Sequence, residues 1–224
     1  APDEAGQRLL TTQAMIHLDR IWAGDYFKTG VWGQADQTGV ASSPSGAQFL
    51  QFDQSGSKPI QFIRQRASAM AGATGYRPNK LVLGNDVFDV LCEHPDVIDR
   101  IKYTQRGVST QEILAELFHV DEILIAQGVQ NTAPEGQTDS ISWIVNPKGA
   151  LLAYAPSGPS LLTPSAGYTF AWTGLIPGVA NAMGGVIARY REDQNHSDIL
   201  EIRTAFDTEV VASDLGQFLA AAVA

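Results

Sequence analysis

The chain has 224 residues, 44% hydrophobic and 17% charged, a globular composition large enough for one sizeable core or two small ones. Its net charge is −9 and its 15 basic residues are dispersed without a run, which argues against the basic stripe of a nucleic-acid-binding domain. No apolar run approaches the ~20 residues of a membrane-spanning helix, and the first residues lack a secretory signal pattern.

Residues 4–27 read as a helix, with Leu10, Ala14, Leu18, Ile21 and Trp22 on one stripe and Gln13, His17 and Arg20 nearer the other face. Gly24 is its weak point. From Lys28 to Lys58 Gly, Ser, Thr, Gln and Asp dominate. The expectation there is a long mobile loop with short extended islands at Val31–Trp32 and Phe49–Phe52. A second helix is expected from Pro59 to Ala71, capped by Ser57, with Ile60, Ile63, Ala67 and Met70 inward. Leu81–Leu83 reads as a short buried strand, and Asn85 as the cap of the helix after it. Pro95 restarts a helical turn through Ile98 and Ile101. Ser109 and Glu112 have capping-box spacing, opening a helix that buries Ile113, Leu114, Leu117 and Phe118.

Beyond Val120 the pattern turns to strands. Ile123–Ala126 and Leu151–Tyr154 are two. Ile141, Trp143 and Val145 alternate as on a half-buried strand, and Tyr168, Phe170 and Trp172 alternate likewise. A long hairpin is expected from Val186–Arg191 and an arm carrying Leu200, Ile202, Thr204 and Phe206 on one face. The terminal apolar run, residues 216–224, is expected to tuck into the body. Helices first and strands later make the fold α+β rather than alternating βαβ.

Local motifs for chemistry are missing. There is no P-loop, dinucleotide fingerprint, nucleophile elbow or Cys-x-x-Cys pair. His17, His94, His119 and His196 are not spaced as metal ligands, and Asp96/Asp99 and Glu192/Asp193 read as solvated charges. Ser157 and Ser165 read as turn residues. Asn195-His196-Ser197 matches a glycosylation acceptor but reads as loop chemistry. Cys92, the single cysteine, reads as a small core residue in a reducing compartment. Neither catalytic residues nor a metal or cofactor are expected. Ala1 in place of Met implies that something upstream was cleaved, removed or left out.

The stretch TGYRPNKLVLGNDVFDVLCEHPDVIDRIKYTQRG, Thr74 to Gly107, resembles tailed-phage major capsid proteins of the lambda type. DRIWAGDYFKTGVWG and SKPIQFIRQR upstream are similar to the same family, as are EILAELFHVDEILIAQGVQNTA, LLAYAP, PSAGYTFAWTG and ARYRED downstream. The resemblance implies the Hong Kong 97-like capsid fold. Residues 1–58 would carry the spine helix of a peripheral domain and the loop after it. Residues 59–184 would form mainly the axial domain, a central sheet flanked by helices. Residues 185–224 would return to the peripheral domain, laying the hairpin's Leu200–Ile202–Phe206 face on the Leu10–Leu18–Trp22 stripe. The family's N-terminal arm and extended loop would lie ahead of the spine helix and look absent here.

The implied function is structural. Subunits would assemble as pentamers and hexamers into an icosahedral virion shell, built in the host cytoplasm and enclosing DNA without reading its sequence. Scaffolding, portal and decoration proteins are the implied partners, and no membrane is involved. Trp32 and Phe52, in the exposed-looking loop, and Tyr103 and Arg106, before Ser109, are the candidate subunit contacts. Packing within the chain is the plainer alternative for each. A bacterial compartment of the same fold, holding an enzyme cargo, is the first rival function. A small α/β hydrolase, which would need a pocket of convergent polar groups, is the second.

Overall fold

The structure, a computed structural model, describes residues 2–102, 111–160, 162–172, 174–175 and 185–224. In chain order its first half contains α1 (Pro2–Tyr26), β1 (Gln37–Val40), β2 (Gln48–Leu50), α2 (Pro59–Thr74), β3 (Lys80–Gly84), α3 (Asn85–Glu93), α4 (Pro95–Ile101) and α5 (Gln111–Phe118). Then follow β4 (Glu122–Ala126), β5 (Val129–Asn131), β6 (Ile141–Trp143), β7 (Ala150–Ala153), β8 (Gly167–Ala171), β9 (Gly185–Glu192), β10 (Ser197–Thr204), β11 (Phe206–Val210) and β12 (Gly216–Ala220). The expected α+β class holds.

The centre is a six-stranded mixed sheet in the order β2-β1-β12-β7-β3-β4. β7 is antiparallel to both of its neighbours, β12 and β3, while β1 pairs parallel with β2 and with β12, and β3 parallel with β4. Strand residues alternate between the two faces, and both faces are covered. Leu81, Leu83, Leu152 and Leu219 join a core with Ile60, Ile63, Leu91, Leu114 and Phe118 from α2, α3 and α5. Val82, Leu151 and Phe218 point the other way, into a second core with Tyr26, Phe27, Trp32 and Leu215. Burial on both sides explains why β3 reads as an unbroken apolar run rather than an alternating one. This sheet draws strands from all three stretches into which the sequence divides the chain, and the apolar C-terminus is one of its inner strands.

The stretch 28–58 matches its expected form only in part: the island expected at Phe49–Phe52 overlaps β2, whereas Val31–Trp32 is not a strand. The stretch supplies two strands of the central sheet, and Phe49, Gln51, Phe52 and Ser57 within it are buried. Its polar composition hides aromatic anchors, each of which gains roughly 1.5–3 kcal/mol on full burial. Two caps also differ. Lys58 occupies the N-cap of α2, and Ser57 instead bonds across the loop to Phe52 and His94. Gly84, not Asn85, is the N-cap of α3. At its other end α2 runs past Gly72 and stops at Gly75, whose φ of 80° is the left-handed conformation that suits glycine. The expected Ser109 cap lies outside the described residues.

The stripe of α1 is half-buried, and Gly24 is accommodated without a break. β10 and β11 run against this helix, as the hairpin was expected to. A Cβ on Gly6 would stand 2.8 Å from Leu200 Cδ1, so glycine lets that strand approach closely. Phe206, expected at the end of the hairpin arm, instead opens β11 and pairs with β8. Among the described residues no helix is long and apolar enough to cross a membrane.

Candidate subunit interface

Among the described residues, a hydroxyl–imidazole pair is the nearest thing to a catalytic constellation. Ser57 Oγ lies 2.8 Å from His94 Nε2, with both residues buried. His94 Nδ1 accepts the Asp96 N–H at 3.0 Å, capping α4. The neutral ring therefore carries its proton on Nε2 and donates to Ser57, whose own proton goes to the Phe52 carbonyl at 2.9 Å. That polarity is opposite to a general base activating a nucleophile, which must accept the hydroxyl proton. Burial pushes the His94 pKa down, against the pull of the Asp96 carboxylate, which keeps the ring neutral. The pair is a structural tie between the β2–α2 loop and α4.

Trp32 and Phe52 do not sit on the surface. Trp32 is only 8% exposed. It stacks on Tyr26 with ring centres 6.0 Å apart, and its Nε1 donates to the Tyr26 carbonyl at 2.9 Å. Phe52 is 1% exposed and packs with Phe49 and Phe62. Both anchor the stretch 28–58 to the cores, which corrects their placement as exposed contacts and favours the packing alternative. Tyr103 and Arg106 lie outside the described residues.

Many of the exposed apolar side chains are elsewhere, on three two-stranded sheets separate from the central one. β5–β6 presents Val129, Ile141 and Trp143, with Ile141 71% exposed. The expectation of a half-buried strand holds only for Val145, which lies past the end of β6 in the second core. β8–β11 presents Phe170 and, just past the end of β8, Trp172, which is 66% exposed, beside Leu175. β9 presents Ile187 and Tyr190. Alternation of large apolar residues in short segments was the available signal. Sequence alone does not say whether a second layer covers the face.

The β8–β11 ribbon is held to the end of α1. The Tyr26 hydroxyl lies 3.1 Å from the Tyr168 carbonyl and 3.0 Å from that of Glu209 and donates toward both, while Thr208 Oγ1 bonds Asp25. Burial and then the nearby carboxylates of Asp25, Glu209 and Asp207 push the Tyr26 pKa up to about 12. The hydroxyl therefore stays a donor throughout the ordinary pH range. Among the described residues, the body thus carries ribbons with exposed large apolar side chains, which suits contact surfaces for other molecules.

A family model described as phage major capsid protein E matches residues 50–167, just over half the chain. The chain belongs to that family. It is 33% identical over 123 residues to the major capsid protein of Burkholderia phage BcepMu, an alignment covering 53% of this chain and 38% of that protein. The chain thus spans well under half the length of that relative. Its fold is similar to the crystal structure of a phage-related protein from Bordetella bronchiseptica, with a TM-score of 0.76 and 21% identity, over 99% of this chain and 69% of that one. The resemblance read from the sequence is borne out at the level of family, and the capsid protein is structural in kind.

Proposed function

We propose that this capsid protein is the repeating subunit of an icosahedral phage head. The membership of residues 50–167 in the capsid family carries this reading. Pentamers and hexamers would tile the closed shell, since only symmetric or near-symmetric contacts close one. The layout would be Hong Kong 97-like, with α1 and the β9–β10 hairpin as the peripheral part and most of residues 59–184 as the axial part. The body would perform no catalysis, and the Ser57–His94 polarity supports that. Tyr103 and Arg106, just beyond α4, are proposed subunit contacts, joined by the apolar side chains of the three ribbons. DNA would be enclosed without sequence-specific binding, in keeping with the net charge of −9. The subunit would assemble in the host cytoplasm and reside in the virion, with scaffolding, portal and decoration proteins as partners.

The test is electron microscopy of the protein expressed from its own gene, alone and with a scaffolding protein. Regular closed particles are expected. A protein that stays monomeric in every assembly condition would overturn the reading.

A further inference from the structure

A groove runs between the outer edge of the central sheet and helix α2. β2 is the edge strand, and its pairing leaves half of its backbone unused. Thr38 N–H donates to the Ala47 carbonyl and Gln51 N–H to the Val40 carbonyl, each at 3.0 Å, on a parallel ladder. That alternation turns the backbones of Gln48 and Leu50 away from β1. The Gln48 N–H is taken by the Ser45 carbonyl at 3.2 Å. The Gln48 carbonyl and both backbone groups of Leu50 therefore face off the sheet, as a template for a further strand.

The wall of the groove is chemically specific. Phe62 of α2 stacks on Phe49 of β2, with ring centres 4.5 Å apart. The Arg66 guanidinium carbon lies 5.6 Å from the Phe62 ring centre. Lys58 and Arg66 line the groove, and among the described residues no carboxylate does, although the chain as a whole carries −9. Arg66 Nε is shielded from solvent and has no hydrogen-bond partner among the described residues. An unmet donor on a charged group is costly, and a carboxylate is the acceptor that fits it best.

We propose that this groove binds an extended acidic segment of another protein, which adds a strand beside β2 and sets a carboxylate against Arg66. Alternate side chains of such a strand face α2. One apolar group would cover Phe62, while acidic neighbours on the same face would meet Arg66 and Lys58. Nucleic acid would satisfy the cations but not the free ladder, which only a peptide backbone completes. Another protein is the better source than a second copy of this chain. Among the described residues its acidic strands β10 and β11 are each already held along one edge, by β9 and β8, and so are less free than a separate segment to fit the groove. Binding here does not depend on shell formation, so it stands or falls separately from the head-subunit reading.

The experiment is fluorescence anisotropy with a labelled, end-blocked peptide in which every second residue is in turn Glu, Val and Glu, with Thr between them, against the purified chain. Binding that weakens with salt is expected, with a loss of about tenfold or more in Arg66→Gln. A peptide N-methylated on the amides of one edge removes the ladder without touching the protein, and it is expected not to bind. The same peptide with Lys for Glu is also expected not to bind. Melting temperature checks that Arg66→Gln is folded, and if it is not, Lys58→Gln and the N-methylated peptide decide. Absence of binding by the Glu peptide, or equal binding of its N-methylated form or to folded Arg66→Gln, overturns the proposal. So does self-association of the chain that Arg66→Gln abolishes, because a second copy would then be the occupant.

Discussion

The central sheet and the ribbons are built from similar short apolar strands, yet one is interior and the others are surface. β3, β7 and β12 are buried along nearly their whole length, with helices on one face and the Tyr26–Phe27–Trp32 cluster on the other. β5–β6, β8–β11 and β9–β10 each pair only with themselves, and each leaves large side chains in solvent. A two-stranded ribbon is marginal alone, so the ribbons depend on tethers such as Tyr26 and on whatever covers them. Strand propensity is shared by the two regions; a second layer is what separates them.

The sharpest way to break this contrast is to hollow the sheet. Leu152→Ala removes a side chain that is almost wholly buried in the larger core. A loss of roughly 2–5 kcal/mol by denaturant unfolding is expected; a loss under about 1 kcal/mol would mean the sheet is not the stabilising core. Overfilling should act in the same direction. A Cβ on Gly84 would run into the backbone carbonyls of Pro147 and Asn146. Gly84→Ala should cost about 1–3 kcal/mol, whereas Gly136→Ala, with open space around it, answers only to its left-handed φ of 81°.

The tethers come next. Tyr26→Phe removes the donor shared by the Tyr168 and Glu209 carbonyls, with an expected cost of about 0.5–1.5 kcal/mol. The pH dependence separates this from simple packing. With the folded Tyr26 pKa raised to about 12 from 10.0, the wild-type contribution is full below pH 10 and is lost as pH rises toward 12. In Tyr26→Phe that alkaline loss should shrink, and an unchanged alkaline slope would refute the tether.

His94 gives the opposite sign. Its folded pKa lies below the ordinary 6.5, so stability is complete above 6.5 and declines as pH falls through 6.5 toward the lowered value. His94→Gln should flatten that acid slope, measured as unfolding free energy against pH. A slope as steep as wild type would show that the ring's neutral state is not what ties the β2–α2 loop to α4.

The smallest effect on folding is expected in the ribbons. Ile141→Ser, at a position 71% exposed, should change the stability of the isolated subunit by less than about 0.5 kcal/mol. The yield of closed particles should fall nonetheless. Undiminished particle yield would remove the β5–β6 ribbon from the set of contacts.

Local pattern by itself determined a good deal here. Helical spacing located α1, α2 and α5, and the inward sides of α2 and α5, because those faces repeat within a few residues. The Leu81-Val82-Leu83 run signalled a short buried strand, and many medium-length segments in one order pointed to the capsid family. What the tertiary structure alone decided was which surfaces are covered. Periodicity reports that a face is apolar, and it is silent on whether a second layer meets it. Phe52, a candidate surface contact with packing within the chain as its plainer alternative, lies in the core, while Ile141, expected on a half-buried strand, stands in solvent. The position of β12 between β1 and β7 was equally out of reach. Its partners lie more than sixty residues away in the chain, and no local signal encodes a partner that distant; the choice is made by the packing of the whole sheet.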